Sequence, residues 1–241
     1  MKKYPKSIES SSDQAYYDHE SVGSLDDHAK WMREIEFYFQ GYSDLLNIAL
    51  TGTKGHVVEL GAGSCGLSVC LSRLQSVKQI TSIDISMVRM QKMIDLSVSV
   101  LDGEKYKIHP ITSDFNGRLP FEEGVLDAVL FDAALHHSRS IWGTLGECNR
   151  VLKKGGLLVA QRESYLSSQR AKKQIEQLLT SPEVAANVSE NMYLLEQYVY
   201  YLNVNGFSVN FIKRTQSKVK SALFFLNGSL FTDGVLFCRK Q

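Results

Sequence analysis

The sequence lacks several features that would assign it to other classes of protein. Among its 241 residues, no apolar run approaches the roughly 20 residues that a membrane-spanning helix needs. The four cysteines, at positions 65, 70, 148 and 238, have no C-x-x-C spacing and form no metal pattern. Residues 1–13 are polar and rich in serine, without the apolar core of a secretory signal. We therefore expect no membrane partner and a reducing, cytoplasmic location.

The chain also lacks a strong charge of either sign, since its formal net charge is +1. A basic run at residues 213–220 could contact phosphate on a substrate, but such runs are more often solvated loops. Because the sequence has no broad basic face, we expect no nucleic-acid partner. The length and the hydrophobic content of 44% are typical of a globular protein with one main domain.

The most informative segment of the chain is residues 57–67, VVELGAGSCGL. An apolar run ends at Glu59, three glycines follow, and a helical pattern begins. This arrangement lets a backbone turn approach a bound nucleotide closely, and the G-x-G-x-x-G spacing alone would also suit NAD. A carboxylate at Glu59 would face the turn, where it would repel a pyrophosphate and could pair with a cationic group. The segment therefore favours S-adenosylmethionine, which carries an amino group and a sulfonium.

After this turn, the hydrophobic pattern alternates between strands and helices. Strands are predicted at residues 79–84, 106–111, 126–131 and 157–161, and helices at 67–74, 87–101 and about 141–152, with a turn at 153–156. Such alternation indicates an α/β fold with a parallel sheet and helices on both of its faces. Ligands of these sheets bind beyond the carboxyl ends of the strands. The acids at the predicted strand ends therefore indicate a binding site.

The flanking regions have a different character. We expect residues 1–50 to form a helical arm or lid and residues 51–241 to form the core of a single domain. Within that core, residues 165–204 are expected to insert two helices, with a break at 181–183. Strands predicted at 207–212 and 223–237, with turns at 227–228 and 233–234, would complete the sheet. The added helices would cap the ligand edge.

In this order, the motifs resemble class I S-adenosylmethionine-dependent methyltransferases of the small-molecule branch. The resemblance covers roughly residues 50–162 and rests on residues 59–63, Asp84, residues 114–115, residues 131–134 and residues 147–158. It implies a doubly wound, Rossmann-like sheet of seven mostly parallel strands, with the last strand antiparallel. It also implies S-adenosylmethionine as the cofactor and S-adenosylhomocysteine as the product. Cys65 departs from the pattern, since many members carry a glycine there.

The resemblance further implies which residues bind the cofactor. Asp84 would accept both ribose hydroxyls, Ile85 would pack on the adenine, and Asp114 would bond the adenine amino group. An aromatic pair at residues 16–17 resembles the element with which many relatives close over the cofactor. The implied set is Tyr16, Glu59, Gly61, Ala62, Gly63, Asp84, Ile85, Asp114, Phe115, Asp132 and Ala133.

Two adjacent histidines, His136 and His137, follow the fourth predicted strand and are the candidate catalytic residues. One of them could act as a base or could orient the methyl acceptor. Both cannot point into one site from an extended segment, because side chains alternate. No further ligands stand at suitable spacing, so the sequence predicts no metal site. Arg162 and Glu163 could read a polar substrate.

We expect an enzyme that methylates O or N of a small-molecule metabolite, working as a monomer or homodimer. Three alternatives remain open. The acceptor could be RNA or protein, although no binding module is present. The chain could be an NAD-dependent oxidoreductase, which shares the glycine turn. It could also bind S-adenosylmethionine without transferring its methyl group, because fold does not specify function.

Overall fold

The computed structural model describes residues 13–18, 28–33, 55–163, 165–166, 171–213 and 234–241. Residues 13–18 and 28–33 are helical. The later helices are α1 (Gly66–Ser72), α2 (Met87–Leu101), α3 (Ile141–Val151), α4 (Ala171–Leu179), α5 (Pro182–Ala185) and α6 (Leu195–Val204), with single 3-10 turns at Lys105–Lys107 and Leu135–His137. The strands are β1 (Gly55–Leu60), β2 (Val77–Asp84), β3 (Ile108–Thr112), β4 (Leu126–Asp132), β5 (Leu152–Gln161), β6 (Tyr165–Leu166), β7 (Tyr193–Leu194), β8 (Phe207–Lys213) and β9 (Gly234–Lys240).

Seven of these strands form one sheet in the order β3-β2-β1-β4-β5-β9-β8. The strands from β1 to β5 pair in parallel, and β9 runs antiparallel to both of its neighbours. Strand order reverses between β1 and β4, the point where doubly wound sheets bind ligands. The predicted fold class is confirmed, including the antiparallel final strand.

Helices cover both faces of the sheet because its central strands are apolar on both sides. Val57 of β1 faces the core cluster that includes α1 and α2, whereas Val58 faces the cluster that includes α3 and α6. Every residue of β4 is buried. Runs that are apolar on both faces are typical of parallel sheets between two helical layers.

The helices begin where the sequence provides caps. Ser86 accepts a hydrogen bond from the N–H of Arg89 at the start of α2, and Ser140 accepts one from Gly143 at the start of α3. Ser181 caps α5, whose first residue is Pro182, a position where its missing N–H costs nothing. No helix in the described ranges is long and apolar enough to cross a membrane.

Two predictions of secondary structure were wrong. Residues 153–156 belong to β5 rather than to a turn, and the pairing of β4 with β5 shifts register between Leu126 and Ala128. The described part of the region 165–204 holds three helices rather than two, together with the parallel pair of β6 and β7. Gly234 is the first residue of β9, where a Cβ would lie 2.1 Å from the Phe211 ring, and the rest of the predicted turn at 233–234 lies outside the described residues.

Some predictions fall outside the described residues. They are residues 223–233 of the strand predicted at 223–237, the turn at 227–228, the basic run beyond Lys213 and most of the arm at residues 1–50. The division into arm and core stays a prediction.

Candidate active site

A cavity of about 260 Å³ lies at the carboxyl edge of the sheet. Most of the residues singled out from the sequence meet there. Its walls include Gly61, Gly63, Asp84, Ile85, Asp114, Phe115, Asp132, Ala133, His136 and His137. They follow β1, β2, β3 and β4, so the parallel topology brings together residues that are far apart in the chain. Glu59, Ala62 and Tyr16 are not among the lining residues.

The glycine turn forms the floor of the cavity. Gly61 and Gly63 both adopt positive φ, and a Cβ on Gly61 would lie 2.6 Å from the Cβ of Ala134. Cys65, at φ 61°, is the N-cap of α1 and also has the left-handed conformation that glycine favours. Its thiol is buried, and burial raises its pKa well above the usual range, so it is a packed and unreactive side chain.

Asp84 is anchored at the wall of the cavity by two backbone donors. The N–H of Gly63 donates to Oδ2 at 2.7 Å, and the N–H of Ser86 donates to Oδ1 at 2.8 Å. Burial raises the pKa of this carboxyl, against the opposing effect of these two hydrogen bonds. Each carboxylate oxygen retains a lone pair, so Asp84 can still accept hydrogen bonds from two neighbouring hydroxyls.

The Asp114 carboxylate is held by groups that the sequence did not indicate. Its Oδ1 accepts the N–H of Asn116 at 2.9 Å, and its Oδ2 contacts the guanidinium of Arg139. Arg139 also reaches Asp13 at 3.2 Å, which ties an N-terminal helical residue to this wall. The neighbouring Phe115 packs edge-on against Phe131, with ring centroids 5.8 Å apart.

Asp132 forms a buried ion pair with Arg162. The guanidinium donates to both carboxylate oxygens, from Nε at 2.6 Å and from Nη2 at 3.0 Å. Arg162 has a positive φ of 55°, and its guanidinium lies 5.2 Å from the centre of the Trp31 ring. It therefore pairs with Asp132 and does not line the cavity.

Glu59 does not line the cavity, and its carboxylate contacts α1 directly after the glycine turn. Its Oε2 accepts hydrogen bonds from the N–H of Ser68, at 2.9 Å, and from the Ser68 hydroxyl. Side chains alternate along a strand, so Glu59 shares the α1 face of β1 with Val57. Burial raises the pKa of this carboxyl to about 8. Ala62 likewise serves the turn, since its N–H donates to the carbonyl of Ile83 at 2.9 Å.

Of the aromatic pair near the N-terminus, Tyr17 lines the cavity, whereas Tyr16 was the predicted contact. The hydroxyl of Tyr17 lies 3.3 Å from Nε2 of His137. The guanidinium of Arg89 lies 5.5 Å from the centre of the Tyr17 ring. Tyr16 packs against Tyr17, with ring centroids 5.1 Å apart. Neighbouring residues on a helix point in different directions, so only one of the two faces the cavity.

The two histidines lie side by side and both line the cavity, with ring centroids 4.2 Å apart. The segment forms a 3-10 turn, so the alternation expected for an extended chain does not apply. His136 is buried, and its Nδ1 lies 2.7 Å from Glu163 Oε2. The Glu163 carboxylate also accepts the N–H groups of Ala134, Leu135 and His136. Glu163 thus stabilises this turn through hydrogen bonds and does not line the cavity.

Glu190 is the acidic residue beside the histidines that sequence reasoning missed. Its Oε2 lies 2.8 Å from Nδ1 of His137 and its Oε1 lies 3.7 Å from Nε2 of His136. Burial alone would lower the pKa of His137, but contacts with Glu190 and the carbonyl of Ser189 outweigh it, so the pKa is raised. Glu190 stands in the segment before β7, where no motif marks it. Only the fold brings it to the histidines.

Comparisons with known proteins indicate a methyltransferase domain. A family model described as a methyltransferase domain matches residues 58–160. An uncharacterized chloroplastic methyltransferase of Arabidopsis thaliana is 33% identical over 116 residues, which cover 46% of this chain and 31% of that protein. The match thus spans about a third of the curated relative's length.

Solved structures share the fold at low identity. One belongs to the complex between the Haloferax volcanii Trm112 methyltransferase activator and a methyltransferase, with a TM-score of 0.64, 17% identity, and coverage of 93% of this chain and 96% of that chain. Geranyl diphosphate C-methyltransferase of Streptomyces coelicolor, solved with Mg²⁺, geranyl diphosphate and S-adenosylhomocysteine, has a TM-score of 0.65 at 13% identity, covering 98% and 99% of the two chains. The [4+2]-cyclase SpnF has a TM-score of 0.61 at 17% identity, covering 82% and 78%.

Residues 58–160 therefore belong to the class I S-adenosylmethionine-dependent methyltransferase family. The cofactor of this class is S-adenosylmethionine, and the cavity has features that suit it. Gly61 and Gly63 line the cavity without side chains, and Asp84 offers lone pairs to two hydroxyls. Phe115 supplies an apolar surface nearby.

Proposed function

We propose that this protein transfers the methyl group of S-adenosylmethionine to O or N of a small-molecule metabolite. The observation that carries the proposal is the arrangement of one cavity. Asp84 lies at one wall with free lone pairs, and His136 and His137 lie at another. A cofactor bound at Asp84 and an acceptor bound at the histidines would share this one cavity.

The limited size of the cavity supports a small acceptor. Residues from two separate segments close over it, with Asp13, Tyr17 and Trp31 from the N-terminal helical residues and Glu183, Val188, Ser189 and Glu190 from the region after α4. Ligand pockets typically measure about 300–1,000 Å³, so a cavity of about 260 Å³ is small for two ligands together. A macromolecular acceptor would have to present a single group into this space.

Methyl transfer is an in-line displacement, in which the acceptor lone pair attacks the sulfonium methyl and the C–S electron pair stays on sulfur. The protein contributes alignment and the exclusion of water. Asp84 would position the cofactor, Tyr17 would cover the cavity, and the two histidines would orient the acceptor. Asp114, Phe115, Ile85, Asp132 and Ala133 remain proposed cofactor contacts.

Titration calorimetry tests the cofactor first. The wild-type chain, Asp84→Ala and the matched control Asp95→Ala are titrated with S-adenosylhomocysteine, S-adenosylmethionine and NAD. Asp95 is an exposed acid on α2, paired only at the surface with Lys105. Loss of hydrogen bonds to a charged acceptor should weaken cofactor binding of Asp84→Ala by about 10–100-fold, with Asp95→Ala unchanged. Thermal unfolding without ligand verifies that both variants fold.

Each remaining alternative gives a distinct result. Binding of NAD alone would favour an oxidoreductase and reject the proposal. Binding of S-adenosylmethionine without methyl transfer to any acceptor tested would favour a binding role, or chemistry without methyl transfer of the kind that the structural similarity to a cyclase makes conceivable. Transfer of radiolabelled methyl to RNA or protein, rather than to small hydroxyl and amine compounds, would overturn the proposed acceptor class.

A further inference from the structure

Three potential metal ligands converge at one side of the cavity. His136, His137 and Glu190 each place a ligand atom within 4.8 Å of the others. Atoms bound to one ion at about 2.1 Å lie about 3.0–3.4 Å apart in octahedral or tetrahedral geometry. Glu190 Oε2 lies 2.8 Å from Nδ1 of His137, and Glu190 Oε1 lies 3.7 Å from Nε2 of His136, so each oxygen makes one separation close to that range. Small side-chain rotations would therefore bring the three atoms around one ion.

His136 is already oriented as a metal-binding histidine would be. A carboxylate only accepts hydrogen bonds, so the 2.7 Å contact with Glu163 places the proton of His136 on Nδ1. Its Nε2 is left with a lone pair facing Glu190. A buried carboxylate behind a ligating imidazole is the usual support for a metal-binding histidine. Glu163 is fully buried and could provide that support.

The Glu190 carboxylate is held opposite the histidines by its neighbour Asn191. The Asn191 side chain donates to the carbonyls of His136, at 3.1 Å, and Ser138, at 2.9 Å. The Oε2 atom of Glu190 and the carbonyl oxygen of Ser189 each lie 2.8 Å from Nδ1 of His137. With the proton of His137 on Nε2, 3.3 Å from the Tyr17 hydroxyl, the Nδ1 lone pair faces both oxygens, and Glu190 Oε2 has no hydrogen bond within the described part of the chain. A buried carboxylate oxygen without a hydrogen bond is costly and suits a cation.

We propose that His136, His137 and Glu190 bind a divalent transition metal ion such as Zn²⁺ or Fe²⁺, with Glu163 orienting His136. Charge supports this assignment, because the two carboxylates of Glu163 and Glu190 balance one divalent ion between neutral imidazoles. Two nitrogen ligands favour such a metal over Mg²⁺, which prefers an all-oxygen set. The sequence alone predicted no metal, since Glu190 stands 53 positions after His137 without a motif.

The role of the ion rests on the proposed function. A hydroxyl of the acceptor bound to the metal would have a lowered pKa and would lose its proton to water. Its oxygen lone pair would then form the new O–CH₃ bond while the C–S electron pair leaves with S-adenosylhomocysteine. The metal would thus hold the acceptor on the histidine side of the cavity.

Cobalt(II) titration of the full chain, without a histidine tag and stripped by chelator, tests metal binding independently of catalysis. We expect one Co²⁺ per chain, visible d–d absorption, displacement by Zn²⁺ and no displacement by excess Mg²⁺. Glu190→Gln and His136→Asn should each weaken Co²⁺ binding at least about tenfold. Glu196→Gln, which removes the same charge from an exposed position on α6, should bind as the wild type does.

S-adenosylhomocysteine titration of the same samples separates this proposal from the proposed function. Cofactor binding by every variant would show that the fold is intact, so a loss of Co²⁺ affinity would then be local. Absence of d–d absorption in the wild type, or absorption that persists in both Glu190→Gln and His136→Asn, would overturn the metal site. Metal binding without cofactor binding would keep the site and reject the methyltransferase function.

Discussion

Gly61 shows how a single residue links the fold to the cavity. Its φ of +70° is one that L side chains rarely adopt, and Ala134 lies directly against it. Gly124 has a similar φ of +65° but nothing within 4 Å of the Cβ position. Alanine substitutions at these two glycines therefore separate the free-energy cost of backbone strain from that of a steric clash.

We expect Gly61→Ala to lower the free energy of unfolding by about 2–4 kcal/mol, because strain and overpacking add. Gly124→Ala should lower it by about 1–2 kcal/mol through strain alone. Urea unfolding of both variants measures the difference. Equal losses would mean that Ala134 yields without cost and that the close approach does not constrain the turn.

Glu59 carries a prediction about pH. Its pKa rises from an ordinary 4.5 to about 8 in the folded protein, so the folded state keeps a proton that the unfolded state releases. Stability therefore falls as pH rises from about 4.5 to about 8. Glu59→Gln keeps an acceptor for Ser68 and removes this dependence.

The advantage of Glu59→Gln over the wild type should grow with pH, by up to about 1.4 kcal/mol per unit. Urea unfolding of both proteins without ligand, at pH 5, 6, 7 and 8, gives the curve. Other titrating groups are common to both proteins and cancel in the difference. A constant difference across these four pH values would show that Glu59 is ionised in the folded state.

At the scale of elements, two serines cap two helices in contrasting surroundings. Ser86 at the start of α2 is buried and also donates to Asp18, whereas Ser140 at the start of α3 is exposed. The N-terminus of α2 thus connects the helical layer to an N-terminal helical segment. Truncating each hydroxyl tests whether that connection adds to stability.

Ser140→Ala should cost about 0.5–1 kcal/mol, the usual value of an exposed cap. Ser86→Ala should cost more, about 2 kcal/mol, because a buried N–H and the Asp18 carboxylate both lose a partner. Thermal or urea unfolding provides both values. If Ser140→Ala proves the more costly change, Ser86 does not hold the N-terminal segment against α2.

At the scale of the whole molecule, ligand binding and folding are linked through the cavity. Its walls come from strands β1 to β4, from both N-terminal helical segments and from the region after α4. A cofactor that binds only the folded state therefore stabilises all of these elements together.

S-adenosylhomocysteine at 100 times its Kd should raise the unfolding free energy by about 2.7 kcal/mol. For a protein of this size, the melting temperature should rise by about 5–10 °C. Differential scanning fluorimetry should show this rise for the wild type and Asp95→Ala. For Asp84→Ala at the same concentration the rise should be about half as large or smaller, because a 10–100-fold weaker affinity leaves the ligand at only about 10 to 1 times Kd. A rise of equal size with NAD would contradict the assignment of the cofactor.

Much of the fold could be predicted from the sequence, because the sequence signals that specify helices, strands and turns are local. Buried apolar runs, glycine turns and serine caps act over a few residues, so α2 was predicted at its observed bounds and β1 to β4 within two residues. Predictions failed where tertiary packing determines the local structure. Gly155 and Gly156 are typical of a turn by composition, but both residues lie within β5.

The order of residue types along the chain was enough to predict the alternation of strands and helices, the glycine turn and the family, because these depend on residue types at short, regular spacing. Three features became known only from the folded chain: Glu59 contacts Ser68, Tyr17 rather than Tyr16 lines the cavity, and Glu190 lies against His137. Those outcomes depend on side-chain direction and on contacts between distant segments. Neither side-chain direction nor contact between distant segments produces a periodic pattern in the sequence. Both are therefore determined only when the elements pack together.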